Sequence, residues 1–267
     1  MAVEPLLRVR DISKRFGGVT ALDGVSITVP PGVVYGLIGP NGSGKSTLFN
    51  VVTGFDPADR GEVMFDGRPI GNLKPYQIAR LGLIRTFQAT LCPRRMTVME
   101  NMLLAPQRQL GDKVVNLFLR PGAVRKEEEA AIEKARRLLA IVNLGDKSDD
   151  YAGSLSGGQR KLLALAQALM AEPRLVLLDE PVAGVNPKLI GEIADVIRRL
   201  RSEGQNFLIV EHNMHFIRTI CDQVAVLDLG KVIAEGAADE VLSREGVLGA
   251  YLGRRRGSAR RRAEGAA

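Results

Sequence analysis

Gly39 to Ser46 reads Gly-Pro-Asn-Gly-Ser-Gly-Lys-Ser, with Thr47 next and an apolar run over 33–38 just before. The spacing is G-x-x-x-x-G-K-[ST]. In such a loop the glycines turn backbone N–H groups inward on phosphate oxygens, Lys45 reaches the β and γ oxygens, and the Ser46 hydroxyl ligates Mg²⁺. The contacts expected against a nucleotide run through Gly39, Pro40, Asn41, Gly42, Ser43, Gly44, Lys45, Ser46 and Thr47. A glycine-rich turn with no ligand is the competing reading.

A second constellation is Leu175-Val176-Leu177-Leu178-Asp179-Glu180-Pro181, an apolar strand that delivers two adjacent carboxylates at its tip. In a parallel sheet that tip lies beside the phosphate loop, so Asp179 can hold Mg²⁺ through water while Glu180 polarises an attacking water. Alone, the pair would read as a solvated strand end. The third is Leu155-Ser156-Gly157-Gly158-Gln159, which opens a helix. Ser156 caps it, and the glycines expose its first N–H groups, which makes an anion site. An ordinary cap would need the serine and neither the glycines nor the glutamine.

The elements that must position these residues follow from periodicity. Alternation predicts strands at Leu7–Arg10 and Ala21–Val29, closed by Pro30-Pro31-Gly32, and a buried strand at Val33–Ile38. A helix is expected from Lys45 to about Thr53, stopped by Gly54, with further strands at Gly61–Asp66 and Leu83–Phe87. From about Gln88 to Leu155 the character is helical. Arg125–Leu144 carries glutamates early and basic residues late, as a helix dipole favours, with Ile132, Leu138, Leu139 and Val142 on one apolar face. Helices at Gly157–Ala171 and Pro187–Glu203 then alternate with strands at Leu175–Leu178, Phe207–Val210 and Gln223–Asp228. That order implies a parallel sheet covered by helices.

Composition narrows the class. A chain of 267 residues, 45% hydrophobic and 25% charged, is ordinary globular material with a substantial core. No apolar run reaches the ~18–20 residues of a membrane-spanning helix, and the first residues lack a signal-peptide core, so a cytoplasmic location is expected. Cys92 and Cys221 have no disulfide or metal spacing. The net charge of +7 is concentrated at the end: residues 254–267 hold six arginines and one glutamate, which leaves +2 for the rest. That is too little for a nucleic-acid face, and no nucleic-acid partner is expected. The tail reads as a disordered, solubilising extension or as a contact for anionic lipid headgroups.

With the phosphate loop, the LLDEP strand and LSGGQ together, the chain resembles the ATP-binding subunit of an ABC transporter over residues 6 to 253. Phe16 in KRFGG falls where that family stacks an aromatic on adenine, Gln88 in RTFQ matches the Q-loop, and His212 in IVEHN matches the switch histidine. The resemblance implies that Gln88 touches Mg²⁺ or the attacking water and that His212 contacts the γ-phosphate. The bland readings are a core phenylalanine, a surface-loop glutamine, and a His212/His215 helix pair that lacks the further ligands of a metal site.

The phrases ARLGLIRTFQ, MTVMENMLLAPQ, LDEPVAGVNP and GAYLG are similar to the ATPases of high-affinity branched-chain amino acid importers. Two features depart from the wider family. Asn186 stands where most members end the D-loop in aspartate, although it still suits the cap of the helix at Pro187, and Cys92-Pro93 follows the Q-loop, where it bears on the surface that meets a membrane subunit.

The resemblance implies an α/β P-loop ABC ATPase fold over 1–253. Its parts are an N-terminal antiparallel β-subdomain, a RecA-like parallel-sheet core and a helical subdomain inserted at roughly 89–165. It further implies ATP and Mg²⁺ as cofactors, a second ATPase subunit so that each ATP lies between one loop and the other chain's LSGGQ, two transmembrane permease subunits, and a periplasmic or extracellular substrate-binding protein. The chain would then sit at the cytoplasmic side of the inner membrane. Alternatives of the same family are a lipopolysaccharide exporter, a urea or amide importer, or a non-transport ATPase acting on DNA or ribosomes.

Overall fold

The computed structural model describes residues 4–86, 92–106 and 114–244. Gln88 and the arginine tail lie outside these residues.

Two sheets organise the chain. The first, in the order β2-β1-β4-β5, is antiparallel: β1 (Leu7–Phe16), β2 (Val19–Val29), β4 (Arg60–Phe65) and β5 (Arg68–Pro69). Strand β1 runs six residues past the predicted Arg10, because Gly17-Gly18 closes a tight hairpin that pairs Phe16 with Val19. The second sheet, in the order β10-β9-β3-β8-β7-β6, joins β3 (Val34–Ile38), β6 (Leu83–Thr86), β7 (Leu175–Asp179), β8 (Asn206–Val210) and β9 (Gln223–Asp228) in parallel. Strand β10 (Lys231–Ala237) is antiparallel to β9 and was not predicted; its half-exposed residues give the sheet an edge.

The five-residue strands β3 and β7 are buried throughout, as expected of parallel strands covered on both faces. Period-two alternation divides their side chains between two cores. Tyr35, Leu37, Leu175, Leu177, Leu208 and Val210 join the antiparallel sheet and Leu48, Phe49, Val51 and Val52 of α1 (Lys45–Val52). On the opposite face, Val34, Ile38, Val176, Leu178, Phe207 and Ile209 meet the other helices. These include α3 (Val98–Leu103), α5 (Pro121–Ile141), α6 (Gly157–Met170), α7 (Pro187–Ser202), α8 (Met214–Ile220) and α9 (Ala238–Ser243). Helix α1 therefore packs on one face of the sheet and α6 on the other. Helix α2 (Pro75–Arg80) precedes β6, and α4 (Val114–Leu119) precedes α5.

Two expectations and one alternative reading need correction. Helix α5 begins at Pro121, four residues before the predicted start, so Glu127–Glu129 fall beyond its first turn and do not face the dipole's positive end. Its apolar stripe is as expected, with Leu138 and Leu139 buried and Val142 at the C-cap. Cys92 is buried in the helical-side core instead of presenting a surface, and burial pushes its thiol pKa up. His212 precedes the α8 N-cap, Asn213, so it shares no helix with His215, and no metal-binding cluster occurs among the described residues.

Asp222 clamps the entry to β3: its Oδ2 accepts Val34 N–H at 2.8 Å, and its Oδ1 pairs with Arg201 of α7 at 2.7 Å. Asp222→Ala should lower unfolding free energy by about 2 kcal/mol in chemical denaturation, with Asp222→Asn, which keeps an acceptor, costing less. Gly158 packs where an added Cβ would lie 1.9 Å from Leu189 Cδ2 of α7. Gly158→Ala should cost about 1–3 kcal/mol, and adding Leu189→Ala should recover much of the loss in the same assay.

Candidate functional site

The phosphate loop is built by close approach. A Cβ at Gly39 would meet the Leu227 carbonyl at 2.2 Å, and one at Gly44 the Ala21 carbonyl at 2.5 Å. Both have positive φ, at 158° and 105°, and Gly44 ends the loop as the N-cap of α1. The loop is pinned to the turn after β9 by Gly230 N–H donating to Ser43 O at 3.0 Å. Pro40, Asn41 and Gly42 line its outer rim, Ser43 is fully buried, and Ser46 and Thr47 sit in the first turn of α1 with Ser46 exposed.

Lys45 folds back into the loop. Its Nζ donates to Gly39 O at 2.8 Å, Pro40 O at 2.9 Å and Ser43 Oγ at 3.4 Å, so its ammonium occupies the cradle that the loop forms. Burial lowers its pKa, and the nearby carboxylates of Glu180 and Asp179 oppose that shift. Strands β3 and β7 flank β8 in parallel, and Arg85 bridges Asp179 to Asn50 of α1, so the tip of β7 lies on the same side of the sheet as the loop.

Asp179 ends β7 with its carboxylate almost wholly buried, paired with Arg85 Nη2 at 2.7 Å. The Ser46 hydroxyl and the Asp179 carboxylate are hard oxygen donors, the kind that suit Mg²⁺. Glu180 follows in a left-handed conformation, φ 49°, which an L residue holds only when its surroundings fix it. They do so at several points. Its N–H donates to Val210 O at 2.9 Å, and Lys161 Nζ of α6 donates to Glu180 O at 2.9 Å and Ala183 O at 2.8 Å. The Glu180 carboxylate is about one-quarter exposed and lies 3.8 Å from His212 Nδ1.

His212 is half exposed and lies between two carboxylates, its Nδ1 also 3.7 Å from Glu211 Oε2. Glu211 is fully buried and accepts three backbone N–H groups: Val182 at 2.9 Å, His212 at 2.9 Å and Asn213 at 3.2 Å. It thus ties the turn after Glu180 to the segment that carries His212. Arg85, Lys161 and Glu211 were missed in the sequence. Arg85 sits in the RTFQ phrase and Glu211 immediately precedes His212, so position beside a motif was the available signal.

Phe16, at the end of β1, is 48% exposed, which excludes the core reading and leaves a ring open for stacking; Lys14 Nζ lies 5.4 Å from its centroid. Ser156 caps α6 by accepting Gln159 N–H at 3.2 Å, and Gln159 Oε1 accepts Ser156 N–H at 2.9 Å. The glutamine is therefore part of a capping box, contrary to the expectation that a cap needs the serine alone. Gly157 is exposed, while Gly158 packs on α7. Asn186 caps α7, its Oδ1 accepting Leu189 N–H at 2.9 Å. The phosphate loop, Asp179, Glu180 and His212 all lie at the C-terminal ends of the parallel strands β3, β7 and β8. The Ser156–Gln159 turn belongs to the helices of the other face, and Gln88 lies outside the described residues.

Comparison with known proteins identifies the family. The profile of the family described as ABC transporter matches residues 22–183. The chain is 42% identical over 248 residues to the probable branched-chain amino acid transport ATP-binding protein LivG of Archaeoglobus fulgidus, covering 93% of this chain and 95% of that one. It is 38% identical over 250 residues to the high-affinity branched-chain amino acid transport ATP-binding protein BraF of Pseudomonas aeruginosa, covering 93% and 98%. A solved ADP conformation of an ATP-binding cassette of an ABC transporter superposes with a TM-score of 0.80 at 40% identity, over 94% of this chain and 99% of that one. The chain belongs to the ABC transporter family, as an ATP-binding subunit.

Proposed function

We propose that this chain is the ATPase of an importer for branched-chain or chemically related amino acids, working at the cytoplasmic face of a membrane. Its partners in this reading are two transmembrane permease subunits, a second ATPase subunit of the same or a related kind, and a substrate-binding protein outside the membrane. The names of its relatives support the substrate class. No helix of the described residues is long and apolar enough to cross a membrane; in this reading the permease subunits supply the membrane path.

The observation that carries the hydrolytic reading is that Lys45, Asp179, Glu180 and His212 follow or end the neighbouring parallel strands β3, β7 and β8 at their C-terminal ends, with His212 3.8 Å from Glu180. In this reading Phe16 stacks on adenine and the loop N–H groups take the phosphates. Lys45 exchanges the carbonyls of Gly39 and Pro40 for β and γ oxygens. Ser46, Asp179 and Gln88 would hold Mg²⁺, which when bound neutralises charge on the phosphates. Glu180 accepts a proton from water as the water oxygen attacks the γ-phosphorus and the bond to the β-phosphate oxygen breaks, releasing ADP and phosphate. His212, held by Glu211, contacts the γ-phosphate.

Helix α6 packs on the face of the sheet opposite α1, which supports the view that Ser156, Gly157, Gly158 and Gln159 serve a nucleotide held by the second subunit. The γ-phosphate then supplies contacts that exist only in the closed pair and so shifts the open–closed equilibrium. The region 89–165 would act as the helical subdomain that passes this motion to the permeases.

Glu180→Gln should bind ATP within about threefold of wild type in equilibrium titration. It should hydrolyse ATP about 10²- to 10⁴-fold more slowly in a phosphate-release assay. Unchanged turnover would remove Glu180 from the base role.

A further inference from the structure

Arg85 spans three parts of the site. Its Nη2 pairs with Asp179 Oδ2 at 2.7 Å, its Nη1 donates to Asn50 Oδ1 at 2.7 Å, and its guanidinium carbon lies 5.5 Å from the Phe49 ring centroid. Asn50 and Phe49 belong to α1, the helix that opens at the phosphate loop, and Asn50 is itself fixed by donating to Asp56 at 2.8 Å. The pair is buried, with side chains 11% and 7% exposed. Arginine keeps its charge in any such setting, and a buried carboxylate deprived of its partner is strongly unfavourable.

This places a permanent cation on the carboxylate assigned to the metal. A divalent ion arriving without nucleotide meets an Asp179 whose charge is already balanced, and the nearby Lys45 ammonium adds to the repulsion. Only the anionic oxygens of a bound nucleotide tip the balance toward the metal. We propose that Arg85 is a positioning residue and resident counter-cation for Asp179, one that makes divalent-metal binding conditional on nucleotide. The proposal rests on the reading of Asp179 as the metal-side carboxylate. In the same role Arg85 holds Oδ2 in a fixed direction and links that carboxylate both to α1 and to its own strand, β6.

The test uses the full chain without nucleotide. Mn²⁺ binding is followed by electron paramagnetic resonance, and thermal unfolding is recorded with and without Mg²⁺. Wild type should bind Mn²⁺ weakly and show no Mg²⁺-dependent shift in Tm. Arg85→Gln should unfold about 10 °C lower. It should regain at least half of that loss in millimolar Mg²⁺ and bind Mn²⁺ at least about tenfold more tightly than wild type.

Adding Asp179→Asn to Arg85→Gln should abolish the gain in Mn²⁺ affinity. If the gain survives, the reading of Asp179 fails; if Arg85→Gln shows no gain while Asp179→Asn alone still weakens Mn²⁺–ATP binding, the counter-cation proposal fails and the Asp179 reading stands. Should Arg85→Gln not fold even in Mg²⁺, Arg85→Lys serves instead. Its shorter point charge cannot bridge Asn50 and Asp179 together, so it should tighten Mn²⁺ by about threefold, and unchanged affinity overturns the proposal.

Discussion

Strands β3 and β7 expose neither face to water, and β8 only its first residue. Each must therefore send alternate side chains into two separate cores, and each core needs its own cover. One cover is the antiparallel sheet with α1; the other is the set of helices that includes α6. At about 25 cal/mol per Å² of apolar surface, burial on this scale outweighs any single polar contact in the molecule and fixes the frame on which the polar groups act. A phosphate loop at the head of α1 and an LSGGQ turn at the head of α6 are thereby assigned to opposite faces. A site that needs both is more readily completed by two chains than by one.

Within that frame, the positions of Glu180 and His212 depend on charged side chains gripping backbone. Lys161 holds two carbonyls of the turn after β7, and Glu211 holds an amide of the same turn together with the amides of His212 and Asn213. Opposite charges from α6 and from the end of β8 thus clamp the turn that keeps Glu180 in a left-handed conformation, a geometry that costs on the order of 1–3 kcal/mol. The arrangement ties the conformation of Glu180 to the helix that carries Ser156. A shift of α6 relative to the sheet must act on the Glu180 carbonyl, so the helices and Glu180 are mechanically coupled.

The legible part of this site was the part written in local sequence. The phosphate loop needs its glycines, lysine and serine at fixed spacing, and the Leu175–Asp179 strand is apolar because both faces are buried. Ser156 and Asn186 were recognisable as caps because capping is a contact across three residues. What escaped depends on tertiary contact. Arg85 meets Asp179 across 94 positions, Lys161 meets Glu180 across 19 and Glu211 meets Val182 across 29, and no periodicity records such pairs. The start of α5 was misplaced because the glutamates suggested a dipole, whereas Pro121, which suits a first turn, sets the boundary. Strand β10 was missed because its half-exposed residues lack the apolar run that marked the others.

In the proposed reading one chain supplies half of each ATP site and drives membrane partners through nucleotide-dependent closure. The most direct measurement is to isolate tagged Glu180→Gln chain with ATP from the membranes of its native cells and determine the composition and stoichiometry of the complex. Two nucleotide-binding chains are expected, both copies of this one or one of them a relative bearing its own LSGGQ, together with membrane-spanning subunits. A complex that forms only with ATP yet contains ribosomes or DNA and no membrane protein would contradict it, as would a chain that remains single with ATP bound.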